Sequence, residues 1–278
     1  MSLEPRQRED YSDRQVEAAH RVLVDLGQVL KSFEDCLVVV GGWVPDLLMK
    51  NSEEQHVGSI DVDLALDVTK LAEGKYAKLL KTLLNTGRYK QAEEAFKLYS
   101  EVDLKDGQPP IRVEVDFLKS PGAKTKKNHT KLTTHFRPLD ADGCAAAFEH
   151  PELVIFSGKM IKSGTNRVQF RVASIADFLV MKSFALANRD KPKDAYDICY
   201  CLQNYPDGLE KLAANWKQRT DKKDVIKAIS ILKEKFATVE WYGPQQVVEF
   251  YNSSNAEERE TQARRAYELV AKFLKLTG

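Results

Sequence analysis

The residues of this chain that could carry chemistry begin with two aspartates, Asp61 and Asp63, in a stretch of alternating polarity. The alternation predicts a β-strand over Ser59–Leu66, in which side chains two residues apart share a face. Both carboxylates then point the same way, while Val62 and Leu64 face the core. Parallel carboxylates repel each other unless a cation lies between them, and Mg²⁺ prefers oxygen ligands, so the pair predicts a divalent-cation site. A solvated acidic pair at a sheet edge is the alternative.

A glycine pair, Gly41-Gly42, ends a short buried strand predicted over Cys36–Val40. Glycine lets the backbone approach a phosphate without obstruction by a side chain. A short helix is predicted to follow through Leu48, and the start of a helix offers free N–H groups to an anion. Gly41 and Gly42 are therefore predicted to bind phosphate.

A third acidic candidate, Asp116, lies in another alternating stretch, Ile111–Leu118, which predicts a strand. Valine and phenylalanine side chains take one face of that strand, and Glu114 and Asp116 take the other. Apolar neighbours flank Asp116, which is a costly place for a carboxylate without a partner. Asp116 is therefore a predicted metal ligand, with a structural carboxylate paired inside the protein as the alternative.

The ordered set Gly41-Gly42, Asp61-x-Asp63 and Asp116 resembles the signature of the DNA polymerase β-like nucleotidyltransferase superfamily. A later stretch, VASIADFLVMKSFALANRDKPKDAYDI at 172–198, is similar to the AbiEii group of toxin-type nucleotidyltransferases. In that group a helical lysine and a following acidic helix complete the site, which implies catalytic roles for Lys182 and Asp194. The alternatives are a lysine whose stem packs along the core and an aspartate that complements a helix dipole.

The resemblance implies transfer of a nucleoside monophosphate from an NTP to a hydroxyl acceptor, with release of pyrophosphate. Asp61 and Asp63 would hold two Mg²⁺ ions, and Asp116 would join the second. Gly41, Gly42 and Lys182 would bind the triphosphate. The toxin-type subgroup further implies tRNA or another RNA as acceptor and a cognate antitoxin protein as partner.

Two departures from the superfamily pattern concern the phosphate side of the site. Many members carry serine after the glycine pair, whereas this chain has Trp43, and an inserted polar loop, Asn51–Gly58, lengthens the gap to Asp61. Trp43 could stack on a base or pack against the first helix, and packing is the favoured interpretation.

Two other functions remain open. One is a small-molecule nucleotidyltransferase of the antibiotic-modifying type, and the other is a catalytically silent fold used as a binding module. The acidic triad argues against the silent module, because such a module has no reason to retain three mutually repelling carboxylates.

A basic stretch, KSPGAKTKKNHTK at 119–131, follows the Asp116 strand directly. A polyanionic acceptor needs positive charge beside the catalytic strand, so Lys124, Lys126 and Lys127 are candidate RNA contacts. An ordinary solvated loop is the alternative.

The elements that must position these residues follow from apolar spacing and turn residues. Ser12-x-x-Gln15 is a capping box that predicts the start of the first helix. Alternating runs on both sides of Asp106-Gly107 predict a β-hairpin. Strands and helices mix up to residue 172, and helical patterns follow. The chain therefore predicts an α/β (α+β) fold: a nucleotidyltransferase-type mixed sheet with flanking helices in a catalytic domain, 1–172, then a helical domain, 173–278.

Composition narrows the class of protein. Lys and Arg number 42 against 41 Asp and Glu, the net charge is +1, and 43% of residues are hydrophobic. These values indicate a globular protein and exclude a membrane bundle, a disordered tail and a globally basic nucleic-acid coat. The chain shows neither a long apolar run nor a signal-peptide pattern, and its four cysteines form neither a metal motif nor a disulfide framework. A cytoplasmic location without membrane association is therefore expected.

Overall fold

A computed structural model describes residues 4–71, 74–123, 135–162, 164–219 and 221–278. The chain divides into two compact units. The sheet unit contains Ser12–Val44 and Gly58–Ser174, and the helical unit contains Met1–Tyr11, Pro45–Val57 and Ile175–Gly278. The boundary predicted after residue 172 lies close to the last of these segments, whereas two N-terminal segments pack with the helices. The functional division into catalytic and helical domains stays a prediction.

One mixed sheet forms the centre of the sheet unit. Its strands in the described part of the chain are β1 (Leu37–Val40), β2 (Val62–Leu66), β3 (Tyr89–Gln91), β4 (Lys97–Val102), β5 (Ile111–Lys119), β6 (Leu139–Asp140), β7 (Glu152–Lys159) and β8 (Thr165–Val172). They lie in the order β3-β4-β5-β2-β1-β8-β7, and β6 pairs with β5. Strand β2 runs antiparallel to β1 and parallel to β5, so the three strands that carry the predicted acidic site are neighbours at the middle of the sheet.

Helix α1 (Asp13–Val29) covers the sheet with an apolar face. Its capping box forms as predicted, because Ser12 Oγ accepts a hydrogen bond from the Gln15 backbone N–H. Ala19, Leu23 and Leu26 are fully buried along this face. The other helices begun in this part of the chain are α2 (Trp43–Leu48) and α3 (Lys75–Asn85).

The helical unit packs helices around an aromatic core. Its helices after residue 174 are α4 (Ile175–Asn188), α5 (Pro192–Asn204), α6 (Leu209–Lys217), α7 (Lys223–Lys235), α8 (Tyr242–Tyr251) and α9 (Ala256–Thr277). Pro192 occupies the first turn of α5, where its missing N–H costs no intrahelical hydrogen bond. Tyr196 of α5 stacks on Phe250 of α8 with ring centroids 4.4 Å apart. None of the helices that the structure describes is long and apolar enough to cross a membrane.

The predicted mixed α/β fold class is confirmed, and the differences lie at element ends. Strand β2 starts at Val62 rather than Ser59. The Ser59 hydroxyl donates a hydrogen bond of 2.6 Å to Asp61 Oδ1, and such local bonding competes with the strand ladder. Strands β3 and β6 were not predicted, because two or three residues are too few to show alternation.

Candidate active site

The register of the sheet brings the predicted acids and the glycine turn together. Asp63 on β2 is the register partner of Val40 on β1 and of Asp116 on β5. Register partners present their side chains on the same face of a sheet, so Asp63 and Asp116 are neighbours on one face. The turn at Gly41 begins directly after the residue that pairs with Asp63.

Gly41 is required by the acid beside it. A methyl group added to Gly41 would lie 1.9 Å from Asp63 Oδ2, which is far inside van der Waals contact. The backbone of Gly41 also has a φ of +69°, a conformation that side-chain-bearing residues adopt at a cost. Gly42 is buried and has no such φ. The predicted contact of both glycines with phosphate stays a prediction.

Asp61 lies one residue before β2, and Ser59 and Trp43 both contact it. Its Oδ1 accepts the Ser59 hydroxyl, and its carbonyl oxygen accepts the indole N–H of Trp43 at 2.7 Å. Trp43 is 1% exposed and packs on the ring of His20 in α1, with centroids 5.7 Å apart. The favoured interpretation, that Trp43 packs against the first helix, is confirmed. Its indole N–H also holds the backbone at Asp61, directly before β2.

Asp116 is a buried acid whose pKa is strongly shifted by its surroundings. Within the described residues its Oδ1 is buried and accepts no hydrogen bond, although Lys97 Nζ lies 3.7 Å away. Burial raises the pKa of Asp116, and the charges of Asp63 and Asp61 raise it further, to about 8. The carboxyl group is therefore mostly protonated at neutral pH unless a cation approaches it.

Lys97 was missed by the sequence interpretation. It is the register partner of Asp116 across the β4–β5 hairpin, and its ammonium also pairs with Glu114. The predicted hairpin contained the signal, because the position of its turn determines which residues face each other.

The acidic cluster fits a cation by two observations. Asp116 has a buried oxygen without a hydrogen bond among the described residues, and the absent side chain of Gly41 leaves room for the Asp63 carboxylate. Among those residues, no group of three or more His, Cys, Asp or Glu side chains is already arranged to hold a metal ion. The oxygen atoms of Asp63 and Asp116 are thus of the kind that binds a divalent cation, but the described side chains do not form a complete set of metal ligands.

The helical unit contains a second charged cluster, which we call the lysine cluster and which consists of Lys182, Arg189, Lys193, Asp194, Asp197 and His56. Lys182 Nζ lies 2.7 Å from an oxygen of Asp194 and 2.7 Å from one of Asp197. Arg189 also pairs with Asp194 at 2.7 Å. Lys182 is 7% exposed and both aspartates are fully buried. The structure thus brings together the predicted residues Lys182 and Asp194, and their roles toward a nucleotide stay predictions.

Mutual attraction keeps the central members of the lysine cluster ionised. Burial opposes charge on Lys182, but Asp194 and Asp197 more than offset it, so the pKa of the ammonium lies above its usual value. Burial likewise opposes charge on Asp194, yet Lys182 and Arg189 hold its pKa at about 2. The pKa of Asp197 lies well below its usual value despite burial, because of Lys182 and Lys193.

Lys193 and His56 are among the members of the lysine cluster that were not predicted. Lys193 Nζ and His56 Nε2 lie 2.7 Å and 2.9 Å from the same oxygen, Asp197 Oδ1. Lys193 could have been found, because residues i and i+4 of a helix are neighbours. His56 carried no such signal, since it lies in a loop interpreted as a polar insertion.

Lys124, Lys126 and Lys127, the candidate RNA contacts, fall outside the described residues. A cavity of about 290 Å³ in the helical unit is lined by residues of α5, α8 and α9, including Gln203, Tyr251 and Arg265. None of the predicted site residues that the structure describes lines that cavity.

Comparison with known proteins identifies the family to which the chain belongs. An antigenic nucleotidyltransferase-like protein from Paracoccidioides brasiliensis is similar in structure, with a TM-score of 0.37 and 17% sequence identity over 76% of this chain and 93% of that one. No curated protein matches the sequence. Residues 23–274 match the family described as "Nucleotidyl transferase AbiEii toxin, Type IV TA system". This match extends over most of the chain, and the chain therefore belongs to the AbiEii nucleotidyltransferase family.

Proposed function

We propose that the protein is a Mg²⁺-dependent nucleotidyltransferase that moves a nucleoside monophosphate from an NTP to a hydroxyl group of RNA and releases pyrophosphate. The observation that carries the proposal is the pairing of Asp63 with Asp116 beside Gly41. A buried carboxyl group whose pKa is raised by a neighbouring carboxylate on one face of a sheet suits a site at which a cation and a polyphosphate meet.

Asp61, Asp63 and Asp116 would hold two Mg²⁺ ions. When bound there, Mg²⁺ would neutralise charge on the triphosphate and lower the pKa of the attacking hydroxyl. The chain's own contribution is positioning: β1, β2 and β5 are adjacent, and Trp43 and Ser59 hold Asp61 at the entrance to β2. Gly41 leaves room for the Asp63 carboxylate.

The triphosphate would contact Gly41, Gly42 and Lys182, with Asp194 holding the lysine. Support for Lys182 comes from its raised pKa, because an ammonium that stays charged at neutral pH suits an anionic ligand. Asp194 accepts a 2.7 Å hydrogen bond from that ammonium. The reaction would take place in the cytoplasm, where NTPs and RNA are available.

RNA, with tRNA as the first candidate, is proposed as the acceptor from the composition of the chain after β5. Residues 119–131 have the sequence KSPGAKTKKNHTK, a basic run that directly follows Asp116 and its strand in the chain. Positive charge next to a catalytic strand suits a polyanionic acceptor better than a small polar one. The family description, a toxin of a type IV toxin–antitoxin system, supports a cognate antitoxin as a further partner.

The test of the reaction is incubation with Mg²⁺ and each α-³²P-labelled NTP, with and without total tRNA, followed by a denaturing gel. Asp63→Asn should abolish labelling, because it removes a ligand from the centre of the site. Glu101→Gln is the matched control, since it neutralises an exposed carboxylate of the same sheet. Label on RNA with wild type and Glu101→Gln alone would support the proposal.

Other outcomes of that experiment are equally informative. Unimpaired labelling by Asp63→Asn would show that the metal-site assignment is wrong. Label that moves only to a small hydroxylated compound would overturn the RNA acceptor and leave the transferase. If wild type labels neither RNA, protein nor small molecules, the transferase proposal fails.

The acceptor has its own test in the triple variant Lys124→Gln/Lys126→Gln/Lys127→Gln. Removing three phosphate contacts should weaken RNA binding and reduce the slope of log K against log salt by about 2, at ~0.7 per contact with a single strand. The matched control changes three exposed lysines of α7, Lys223, Lys227 and Lys233, to glutamine. Equal slopes for both triple variants would show that the loop is not the RNA contact.

A further inference from the structure

The loop between α2 and β2 places one histidine inside the lysine cluster. His56 is 8% exposed, and its Nε2 lies 2.9 Å from Asp197 Oδ1. The imidazole stacks on Tyr196 with centroids 5.4 Å apart and meets Tyr200 edge-on at 4.8 Å. A buried ring held by two aromatic neighbours has little freedom to rotate.

The backbone around His56 is held at two further points. The N–H of Val57 donates to the hydroxyl of Tyr196 at 3.3 Å, and the hydroxyl of Tyr200 donates to the carbonyl of Glu54 at 2.7 Å. Both tyrosines belong to α5, the helix that also carries Asp194 and Asp197. The loop therefore presents His56 to α5 in one orientation.

The two oxygens of Asp197 have different partners. Oδ1 faces His56 and Lys193, whereas Oδ2 forms the ion pair with Lys182. An ionised carboxylate only accepts hydrogen bonds, so the imidazole must carry its proton on Nε2. Burial and the charge of Lys193 lower the pKa of His56 to about 4, which leaves the ring neutral at physiological pH.

We propose that His56 is a positioning residue for Lys182. The directional N–H of its imidazole, held between Tyr196 and Tyr200, selects Asp197 Oδ1 and thereby turns Oδ2 toward the lysine. The ammonium of Lys193 cannot do this alone, because a rotatable point charge attracts either oxygen. The catalytic consequence rests on the proposed function, in which Lys182 contacts the triphosphate.

The test compares His56→Phe with His56→Gln. Phenylalanine keeps an aromatic ring between the two tyrosines but removes the donor, whereas glutamine retains a donor. The first measurement is reductive methylation of Lys182 by formaldehyde and sodium cyanoborohydride, which reduces the imine, followed by peptide mass spectrometry. Losing a hydrogen bond to a charged group should speed methylation about tenfold in His56→Phe, and His56→Gln should stay near wild type.

A second readout is the steady-state kinetics of transfer. In His56→Phe the KM for the NTP should rise about tenfold with a much smaller change in kcat, and His56→Gln should restore most of the loss. A merely structural role would lower the amount of active enzyme without this split. Circular dichroism and thermal unfolding monitor the fold of each variant.

A third measurement uses the wild-type protein, so it can be made even if the variants do not fold. Long-range ¹H–¹⁵N spectra of the wild-type histidines report which ring nitrogen of His56 carries the proton. Protonation on Nε2 supports the proposal, and a neutral ring protonated on Nδ1 overturns it, because that tautomer cannot donate to Asp197.

The outcomes separate this proposal from the proposed function. Methylation of Lys182 that is unchanged in His56→Phe, or that rises equally in both variants, overturns the positioning role whatever the transfer assay shows. Methylation that rises in His56→Phe alone, in a protein that transfers no nucleotide, supports the positioning of Lys182 and overturns the proposed function.

Discussion

The α-carbon of Gly41 lies so close to the carboxylate of Asp63 that a methyl group on it would be 1.9 Å from Oδ2. The glycine turn after β1 and the central acid of β2 therefore occupy adjoining space on neighbouring strands. Glycine at this position leaves room for the carboxylate of Asp63, which is a separate reason for glycine from the predicted contact with phosphate. Substitution of Gly41 should consequently act on the acidic site directly.

Gly41→Ala should displace the Asp63 carboxylate and abolish nucleotide transfer. Gly87→Ala is the matched control, because Gly87 has the same φ of +69° but nothing within 4 Å of an added methyl group. Backbone strain of about 1–3 kcal/mol should appear in both variants, and Gly41→Ala should lose more stability than Gly87→Ala. Urea unfolding and the transfer assay measure the two effects. Equal losses in both variants would show that the contact with Asp63 does not matter.

The stability of the metal-free protein should fall with rising pH because of Asp116. Its folded pKa of about 8 lies above the value of about 3.9 expected for an unfolded aspartate. Between these values the folded state keeps a proton that the unfolded state releases, so stability is lost as pH rises through this window.

Asp116→Asn removes that titration, so in EDTA the variant should unfold at a higher temperature than wild type at pH 8.5. A pKa of about 8 against about 3.9 corresponds to about 5 kcal/mol, so at about 2–4 °C per kcal/mol the difference should be on the order of 10 °C, and it should shrink toward pH 5. Differential scanning calorimetry between pH 5 and 9 measures it, with Glu101→Gln as an exposed-carboxylate control. Identical pH profiles for wild type and Asp116→Asn would contradict the raised pKa.

Binding of Mg²⁺ should release a proton from Asp116. At pH 7 a group with a pKa of about 8 is about 90% protonated, and a cation binds the ionised form. Isothermal titration calorimetry in Tris and in HEPES should therefore give different heats, equivalent to nearly one proton per protein. Asp116→Asn should abolish the difference between buffers. A buffer-independent heat for wild type would contradict a protonated Asp116 that ionises to bind the metal.

Lys182→Met should destabilise the helical unit strongly. It leaves Asp194 and Asp197 buried without their shared cation, and breaking a buried ion pair typically costs about 3–5 kcal/mol. Lys90→Met is the control, because it breaks an exposed pair with Glu101 and should change unfolding little. Urea unfolding followed by circular dichroism compares them. A similar small loss in both variants would mean that the lysine cluster contributes little to stability.

Most secondary structure could be predicted because its signals are local. The capping box at Ser12, the alternation along β5 and the proline at the start of α5 each involve residues within a few positions of one another. The same holds for the hairpin of β4 and β5. Element ends were less predictable, since a single side-chain contact such as Ser59 to Asp61 can shorten a strand.

The site was predictable in its residue types and less so in its contacts. The roles of all five candidates stay predictions, although Asp61, Asp63 and Asp116 were identified from motif and spacing and Lys182 and Asp194 from the family resemblance. Lys97 and His56 were not, because each meets its acid through strand register or through a loop distant in sequence. The register of the predicted hairpin could have indicated Lys97, whereas His56 meets Asp197 across 141 residues of sequence and leaves no periodic pattern.

The sequence by itself determined which chemical groups are available and which local elements carry them: an acidic pair, a glycine turn, a lone aspartate on a strand and a lysine on a helix. Only the tertiary structure decided how those groups behave. It made Asp63 and Asp116 register partners, raised the pKa of Asp116, and enclosed Lys182 between two buried aspartates. The physical reason is that burial and the charges around a group depend on residues far apart in the chain.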